Sequence, residues 1–386
     1  MKRILTIVGT RPEAIKLAPV TIELGLRKDA VEHILCSTAQ HRQMLDQVHE
    51  WFGIVPDIDL NLMAPNQKLA DFAARALTEV TRVLEDVKPD VVLVQGDTTT
   101  AMMASLAAVM QRVEVGHIEA GLRTDNLYNP FPEEINRRVT GSVARYHFAP
   151  TERSAAALRA ENVPAGWIYV TGNTVIDALR MTLEREVKLD LPFLEKSNRR
   201  LILVTAHRRE SFGAPFESLC RALRSIADRN LDVDLVYPVH LNPNVREPVS
   251  RILAGHERIH LIEPLSYEKF VHLMARADIL LTDSGGVQEE APYLGKPALV
   301  MRDNTERPEA VDAGTAKLVG TDESRIVAET ELLLRDDRAY RAMARAGSPF
   351  GDGKAARRIA DILLAGTDSG SGITSKAALA QALASR

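Results

Sequence analysis

Short apolar runs alternate with longer amphipathic stretches through most of this chain. Ile4-Leu5-Thr6-Ile7-Val8, His33 to Ser37, Val91-Val92-Leu93-Val94, Val113 to Ile118, Leu201-Ile202-Leu203-Val204, Asp234 to Tyr237, Ile259 to Ile262 and Ile279-Leu280-Leu281 are the clearest of the runs. Such runs are too short for helices and apolar on both faces, which is the pattern of buried parallel strands, and the stretches between them read as covering helices. The fold class expected is therefore α/β, doubly wound. At 386 residues the chain is too long for one ordinary core. The expected division is a first domain over residues 1–175, a charged linker over 176–200 containing Pro192, a second domain over 201–350, a helix over 351–365 packing back on the first domain, and a loose Gly/Ser- then Ala-rich tail over 366–386.

Composition removes several function classes. The formal net charge of −4 argues against a general nucleic-acid binder. The apolar run after Met1-Lys2-Arg3 is too short for a secretory signal, and no run reaches transmembrane length. Cys36 and Cys220 are the only cysteines, which suits two buried thiols in a reducing compartment. The expected setting is the cytoplasm, with neither membrane nor nucleic acid as partner.

The stretch Thr282-Asp283-Ser284-Gly285-Gly286-Val287-Gln288-Glu289-Glu290 follows a strand and opens a helical pattern that ends near Gly295-Lys296-Pro297. Ser284-Gly285-Gly286 suits a nucleotide phosphate at a helix start, and one of the adjacent pair Glu289 and Glu290 suits the vicinal hydroxyls of a ribose. The alternative reading is a helix start with acidic residues placed for the dipole. Gly9-Thr10-Arg11-Pro12-Glu13 turns the first strand into a helix without a Gly-x-Gly-x-x-Gly or Walker pattern, so dinucleotide and P-loop readings lose support. Arg11 and Lys16 stand at that strand's C-terminal end, where ligands of open α/β sheets bind. Asp97, after Val94-Gln95-Gly96, is either a helix cap or an acid/base group. Glu119, before Ala120-Gly121, has no capping task, and Glu133 opens a further helix. A trio of this kind is suited either to a divalent metal or to acid/base chemistry on a sugar. His207, at a strand end beside Arg208 and Arg209, is a candidate for an anion.

Seven of these segments, from Gly9-Thr10-Arg11-Pro12-Glu13 through Gln95-Gly96-Asp97-Thr98-Thr99, His117 to Arg123, Pro132-Glu133-Glu134, His207 to Glu210 and Asp283 to Gly286 to Thr305-Glu306-Arg307-Pro308-Glu309, resemble in order the non-hydrolysing UDP-N-acetylglucosamine 2-epimerases, over residues 1 to about 364. The resemblance implies a GT-B-like fold of two Rossmann-like domains with the active site in the cleft. It implies interconversion of UDP-N-acetylglucosamine (UDP-GlcNAc) and UDP-ManNAc by inversion at C2, supplying ManNAc-type precursors for cell-surface polysaccharide. It implies Asp97, Glu119, Glu133 and His207 as catalytic residues. Arg11, Lys16, Arg137, Phe270, Ser284, Gly285, Gly286, Glu290 and Arg307 would bind the UDP-sugar. It also implies a homodimer and an allosteric UDP-GlcNAc site touching Gln40, Gln43, Gln67, Glu134, Arg208 and His240. Two departures stand out: Ala206 where relatives often have Gly, and Asn66 where some place an Arg in the allosteric site.

The chemistry suits these residues. A C2 proton beside no carbonyl is hard to remove, but departure of UDP from C1 makes it acidic. Anti elimination gives 2-acetamidoglucal with UDP still bound, and re-addition inverts C2. Such a path calls for carboxylates on both faces and fixed cations for the diphosphate, with no nicotinamide and no obligatory metal. The competing readings are a C2-epimerase of a diacetamido-uronic UDP-sugar, a GT-B glycosyltransferase and a nucleotide-sugar binding protein without activity.

Overall fold

The computed structural model describes residues 1–38, 42–64, 67–128, 130–345 and 347–365, with the backbone only at 42–44 and 196. Gln40, Asn66 and the tail 366–386 lie outside the described residues, as does the side chain of Gln43.

Two parallel sheets carry the chain. The first is formed by β1 (Lys2–Val8), β2 (Val31–Ser37), β3 (Ile58–Asp59), β4 (Val91–Gln95), β5 (Glu114–Ile118), β6 (Tyr146–Ala149) and β7 (Ile168–Val170), in the order β3-β2-β1-β4-β5-β6-β7. The second is formed by β8 (Arg200–Thr205), β9 (Val233–Pro238), β10 (Ile259–Ile262), β11 (Ile279–Thr282), β12 (Ala298–Val300) and β13 (Ala316–Leu318), in the order β10-β9-β8-β11-β12-β13. All strand pairs are parallel, as continuous burial on both faces demands. In each sheet the strand order reverses direction once, between β1 and β4 and between β8 and β11. Successive crossovers leave in opposite directions at those points, so a crevice opens beyond the strand ends, where doubly wound folds bind ligands.

The helices Arg11–Gly25 and Thr174–Leu183 cover the inner face of the first sheet. The second of them also meets Tyr267–Arg276 and Gly285–Glu290 from the second sheet. One buried cluster accordingly runs through both halves, from Ile4, Leu17 and Leu93 through Ile176 to Leu203, Met274 and Val287. The helix Ala355–Ala365 lies against Arg11–Gly25 and Thr174–Leu183. The buried carboxylate of Asp177 accepts the N–H groups of Ala355 and Ala356 at 3.1 and 2.9 Å, which caps that helix. Cys36 and Cys220 are free and buried, and burial pushes both thiols up to about 12. Among the described residues no helix is long and apolar enough to cross a membrane.

One local expectation is corrected. The helix after Ser284 spans only Gly285–Glu290 and gives way to a turn. Pro292 lies just beyond, and a proline there lacks an N–H and clashes with the preceding turn. A 3₁₀ turn, Ala165–Trp167, leads into β7.

Candidate active site

Both switch points face one cleft, and the sequence candidates stand on its two walls. From the first sheet come Arg11 and Lys16 after β1, Asp97 after β4 and Glu119 after β5. From the second come His207 after β8, Ser284 to Glu290 after β11 and Arg307 after β12.

Four of these side chains form a closed ring of alternating charge across the cleft. Lys16 Nζ lies 2.5 Å from Glu119 Oε2 and 3.4 Å from Glu289 Oε2. Arg307 Nε donates to Glu289 Oε1, and its Nη2 lies 3.6 Å from Glu119 Oε1. Gln95, the last residue of β4, also donates to Glu119 Oε2. All four ring members are nearly withdrawn from water. Burial pulls the Lys16 ammonium down, but the flanking Glu119 and Glu289 carboxylates more than offset it, so it ends above the ordinary lysine value. Arg307 is likewise raised despite its burial, by Glu289 and then Glu119. Two cations thus balance two carboxylates. Glu119 itself sits at φ +66°, in the left-handed region where a Cβ is strained. That conformation turns its carboxylate back toward the end of β4.

Asp97 sits at the neighbouring loop. The helix cap there is Thr98, whose hydroxyl accepts the N–H of Ala101 at 3.0 Å, so Asp97 is relieved of capping. Its carboxylate pairs with Arg137 Nη2 at 2.6 Å, and its carbonyl accepts from Asn136 at 2.8 Å. The Glu133–Val143 helix therefore fixes this loop. Glu133, half-buried at the start of that helix, has a buried Oε2 without a hydrogen-bond partner. Arg11 faces the second domain: burial lowers its guanidinium, and Glu268 and Tyr267 partly restore it. Phe270 lies on that same helix, Tyr267–Arg276, packed against the shared core.

Glu290 is not a free carboxylate. It is 5% exposed, and burial, reinforced by the neighbouring Glu289, pushes it up to about 8. Tyr267 donates to its Oε1 at 3.4 Å. The expected ribose hook thus favours its protonated form at neutral pH. The consequence for stability has a definite sign. Between the free value near 4.5 and about 8 the folded chain keeps a proton that the unfolded chain has released. The stability linked to that proton is complete below about 4.5 and is lost as pH rises through about 8. Glu290→Gln is neutral throughout, so it should gain on the parent as pH climbs from 5 to 9. The gain expected is on the order of 1 kcal/mol or more, a few degrees in Tm. Melting curves that stay parallel across this pH range would refute the buried, protonated state.

Of the residues implied for a second site, Glu134 is fully buried. It accepts from Thr124 N at 3.0 Å, Arg138 Nε at 3.0 Å and Arg137 Nη1 at 3.3 Å. These partners hold it below the usual carboxylate range although burial alone would raise it. Gln67 accepts the N–H of Ala64 at 3.1 Å and pairs with Arg75, outside the ring just described. Arg208 reaches over Gly285, where an added Cβ would stand 3.8 Å from its Nη2. His240 stacks on His207 with ring centroids 5.3 Å apart. A cavity of about 800 Å³ opens at the mouth of the cleft, between Gly121 to Asp125 and Arg302 to Glu306. Asp97, Glu119, Glu133, Glu289 and Glu290 are not among the residues that line it.

The chain matches a family model described as UDP-N-acetylglucosamine 2-epimerase over residues 25–364. This chain belongs to the UDP-N-acetylglucosamine 2-epimerase family. It is 56% identical to the UDP-N-acetylglucosamine 2-epimerase of Salmonella typhimurium over 371 residues, covering 94% of this chain and 98% of that one. It superposes with a TM-score of 0.87 on the UDP-GlcNAc 2-epimerase of Neisseria meningitidis, bound to UDP-GlcNAc, at 49% identity over 94% of this chain and 100% of that one. An enzyme from Methanocaldococcus jannaschii, in complex with UDP-GlcNAc and UDP, matches with a TM-score of 0.78 at 33% identity, over 94% and 99% of the two chains. The fold of this epimerase-family chain is GT-B-like, and the glycosyltransferase and diacetamido-uronic readings are not favoured.

Three residues of this family member have tasks at the site that sequence reasoning did not give them. Glu289 completes the ring. Glu13, buried, accepts Gly9 N at 3.1 Å, Thr10 N at 2.6 Å and the Thr98 hydroxyl at 2.7 Å, tying the β1 loop to the Asp97 loop. Asp283 does a similar task in the second sheet. For Glu13 the signal was present, since Thr10-Arg11-Pro12-Glu13 has the spacing of a capping box.

Proposed function

We propose that this protein interconverts UDP-GlcNAc and UDP-ManNAc by inverting C2 of the sugar. The observation that carries the reading is the ring Lys16–Glu119–Arg307–Glu289, which brings a buried carboxylate and two cations from opposite domains to one point in a chain of this family. A diphosphate entering the cleft competes for Lys16 and Arg307, and each cation it takes loosens the hold on Glu119. Substrate binding is thereby coupled to freeing a proton-transfer group. In the reaction the C1–O bond to UDP breaks while the C2 proton leaves from the opposite side, and the electron pair of C2–H becomes the C1–C2 double bond of 2-acetamidoglucal. UDP then adds back at C1 as a proton reaches the other face of C2. Asp97, Glu119 and Glu133 serve as base and acid. Arg11, Lys16, His207 and Arg307 stabilise the departing diphosphate. Arg208 and His240, implied for an allosteric UDP-GlcNAc site, lean on Gly285 and His207, a physical route by which a second nucleotide sugar would act on the first.

One experiment tests the whole reading. With UDP-GlcNAc in D₂O and no acceptor, UDP-ManNAc should form with deuterium at C2, and ¹⁸O placed in the bridging position should scramble into the other β-phosphate oxygens. Started from pure UDP-ManNAc, the same reaction should lag until UDP-GlcNAc accumulates. Product bearing the original hydrogen at C2 would overturn the elimination, and a progress curve without a lag would overturn the second site.

A further inference from the structure

The proposed reaction gives no task to a buried carboxylate at the cleft. Asp283, directly after β11, is 1% exposed. Its Oδ2 accepts the N–H of His207 at 2.6 Å and that of Arg208 at 2.7 Å, and its own N–H donates to Thr205 O at 2.9 Å. β8 and β11 are the two strands of the switch point in the second sheet, so this single carboxylate fastens the His207 loop to the turn that carries Ser284 and Gly285. Its other oxygen, Oδ1, is buried without a hydrogen bond and stands 3.6 Å from Nδ1 of His207. A buried acceptor left unpaired calls for an explanation, and the His207 ring is the donor near it. Side-chain contacts of catalytic groups are often long before substrate arrives and shorten once it is bound.

We propose that Asp283 is the positioning residue of His207: it holds the ring with Nδ1–H turned to Oδ1 and leaves Nε2 to face the departing diphosphate. The inference rests on the epimerase reading above. Which nitrogen of an imidazole carries the proton is set by the partner of the other. Three groups act on this ring: Asp283 from the end of β11, His240 stacked on it from the loop after β9, and Arg208 next to it in the chain. Although the His207 side chain is 41% exposed, partial desolvation depresses its proton affinity, His240 and Arg208 depress it further, and Asp283 opposes them. Among the groups of this chain acting on the ring, Asp283 is thus the one that favours the imidazolium that would stabilise charge growing on the β-phosphate.

Asp283→Asn isolates the effect, because the amide oxygen still accepts both backbone N–H groups while an NH₂ replaces the oxygen facing Nδ1. Turnover of UDP-GlcNAc should fall roughly 10- to 100-fold, a fraction of what a proton-transfer group is worth, with little change in KM. The His207 titration, followed by ring NMR and assigned with His207→Asn, should move to lower pH. In the His207→Asn background the Asp283→Asn change should add almost nothing further to the loss of turnover, whereas a merely structural role would multiply the two losses. The unmodified chain supplies a check that needs no Asp283 variant: its neutral His207 should carry the proton on Nδ1, and an Nε2–H tautomer would overturn the inference. If the parent incorporates deuterium at C2 yet Asp283→Asn matches it in turnover and His207 titration, this inference alone fails. If the parent incorporates none, the reading beneath it fails.

Discussion

Glu119→Gln should lower turnover by about 10²–10⁴-fold, the usual worth of a proton-transfer group, while UDP still binds. The substitution keeps the shape of the side chain and an oxygen for Lys16, so it removes basicity and little else. The structure adds a direction to the binding term. Glu119 pairs with Lys16 and Arg307, the cations offered to the diphosphate. A neutral amide competes for them less well than a carboxylate. UDP should therefore bind the Gln variant as tightly as the parent or more tightly, even as catalysis collapses. Calorimetry for UDP, set beside the rate of deuterium entry at C2, separates the two terms. A loss of UDP affinity matching the loss of rate would mean that Glu119 holds the cleft together rather than moving a proton. Its φ of +66° favours the proton-transfer role, since strained backbone of this kind persists at functional sites where the surroundings enforce it.

Much of this site was legible because α/β folds place ligand groups at strand ends, and strand ends can be read from where apolar runs stop. Asp97, Glu119, His207 and Ser284 each follow such a run within a few residues, and each stands at the cleft. The boundaries that failed did so for local reasons, as with Pro292 cutting short the helix after Ser284. What could not be read was pairing across distance. Glu289 and Glu290 differ by one position, and sequence offers no means of telling that one completes an ion-pair ring with Lys16 and Arg307 while the other retains a proton against Tyr267. Asp283 was visible only as part of a Ser-Gly-Gly turn. Its task depends on β8 lying beside β11, a neighbour relation that appears only once the sheet is assembled. Glu13 lies between these cases, its local spacing signalling a cap but not the bond to Thr98 that reaches the next loop.

Arg307→Met should be the most destabilising single change in the cleft. Arg307 is 9% exposed and is the cation that contacts both ring carboxylates from the second domain. Its removal leaves Glu119 and Glu289 with Lys16 alone, one charge against two in a dry site. Breaking a buried pair by deleting one partner costs about 3–5 kcal/mol, because the surviving charge is left uncompensated. For a chain of this length that is roughly 5 °C in Tm. The cost should fall as pH drops, because protonating one of the stranded carboxylates relieves the imbalance. It should also be largely recovered in Arg307→Met/Glu289→Met, where the charges are again one and one. The double variant nevertheless lacks a diphosphate cation, so stability should return without UDP affinity. Thermal melts of the parent, both single variants and the double variant form a cycle that reads the coupling directly. Additive losses would mean that the ring is four neighbouring charges rather than one unit, and that Glu119 is held by Lys16 and Gln95 without help from across the cleft.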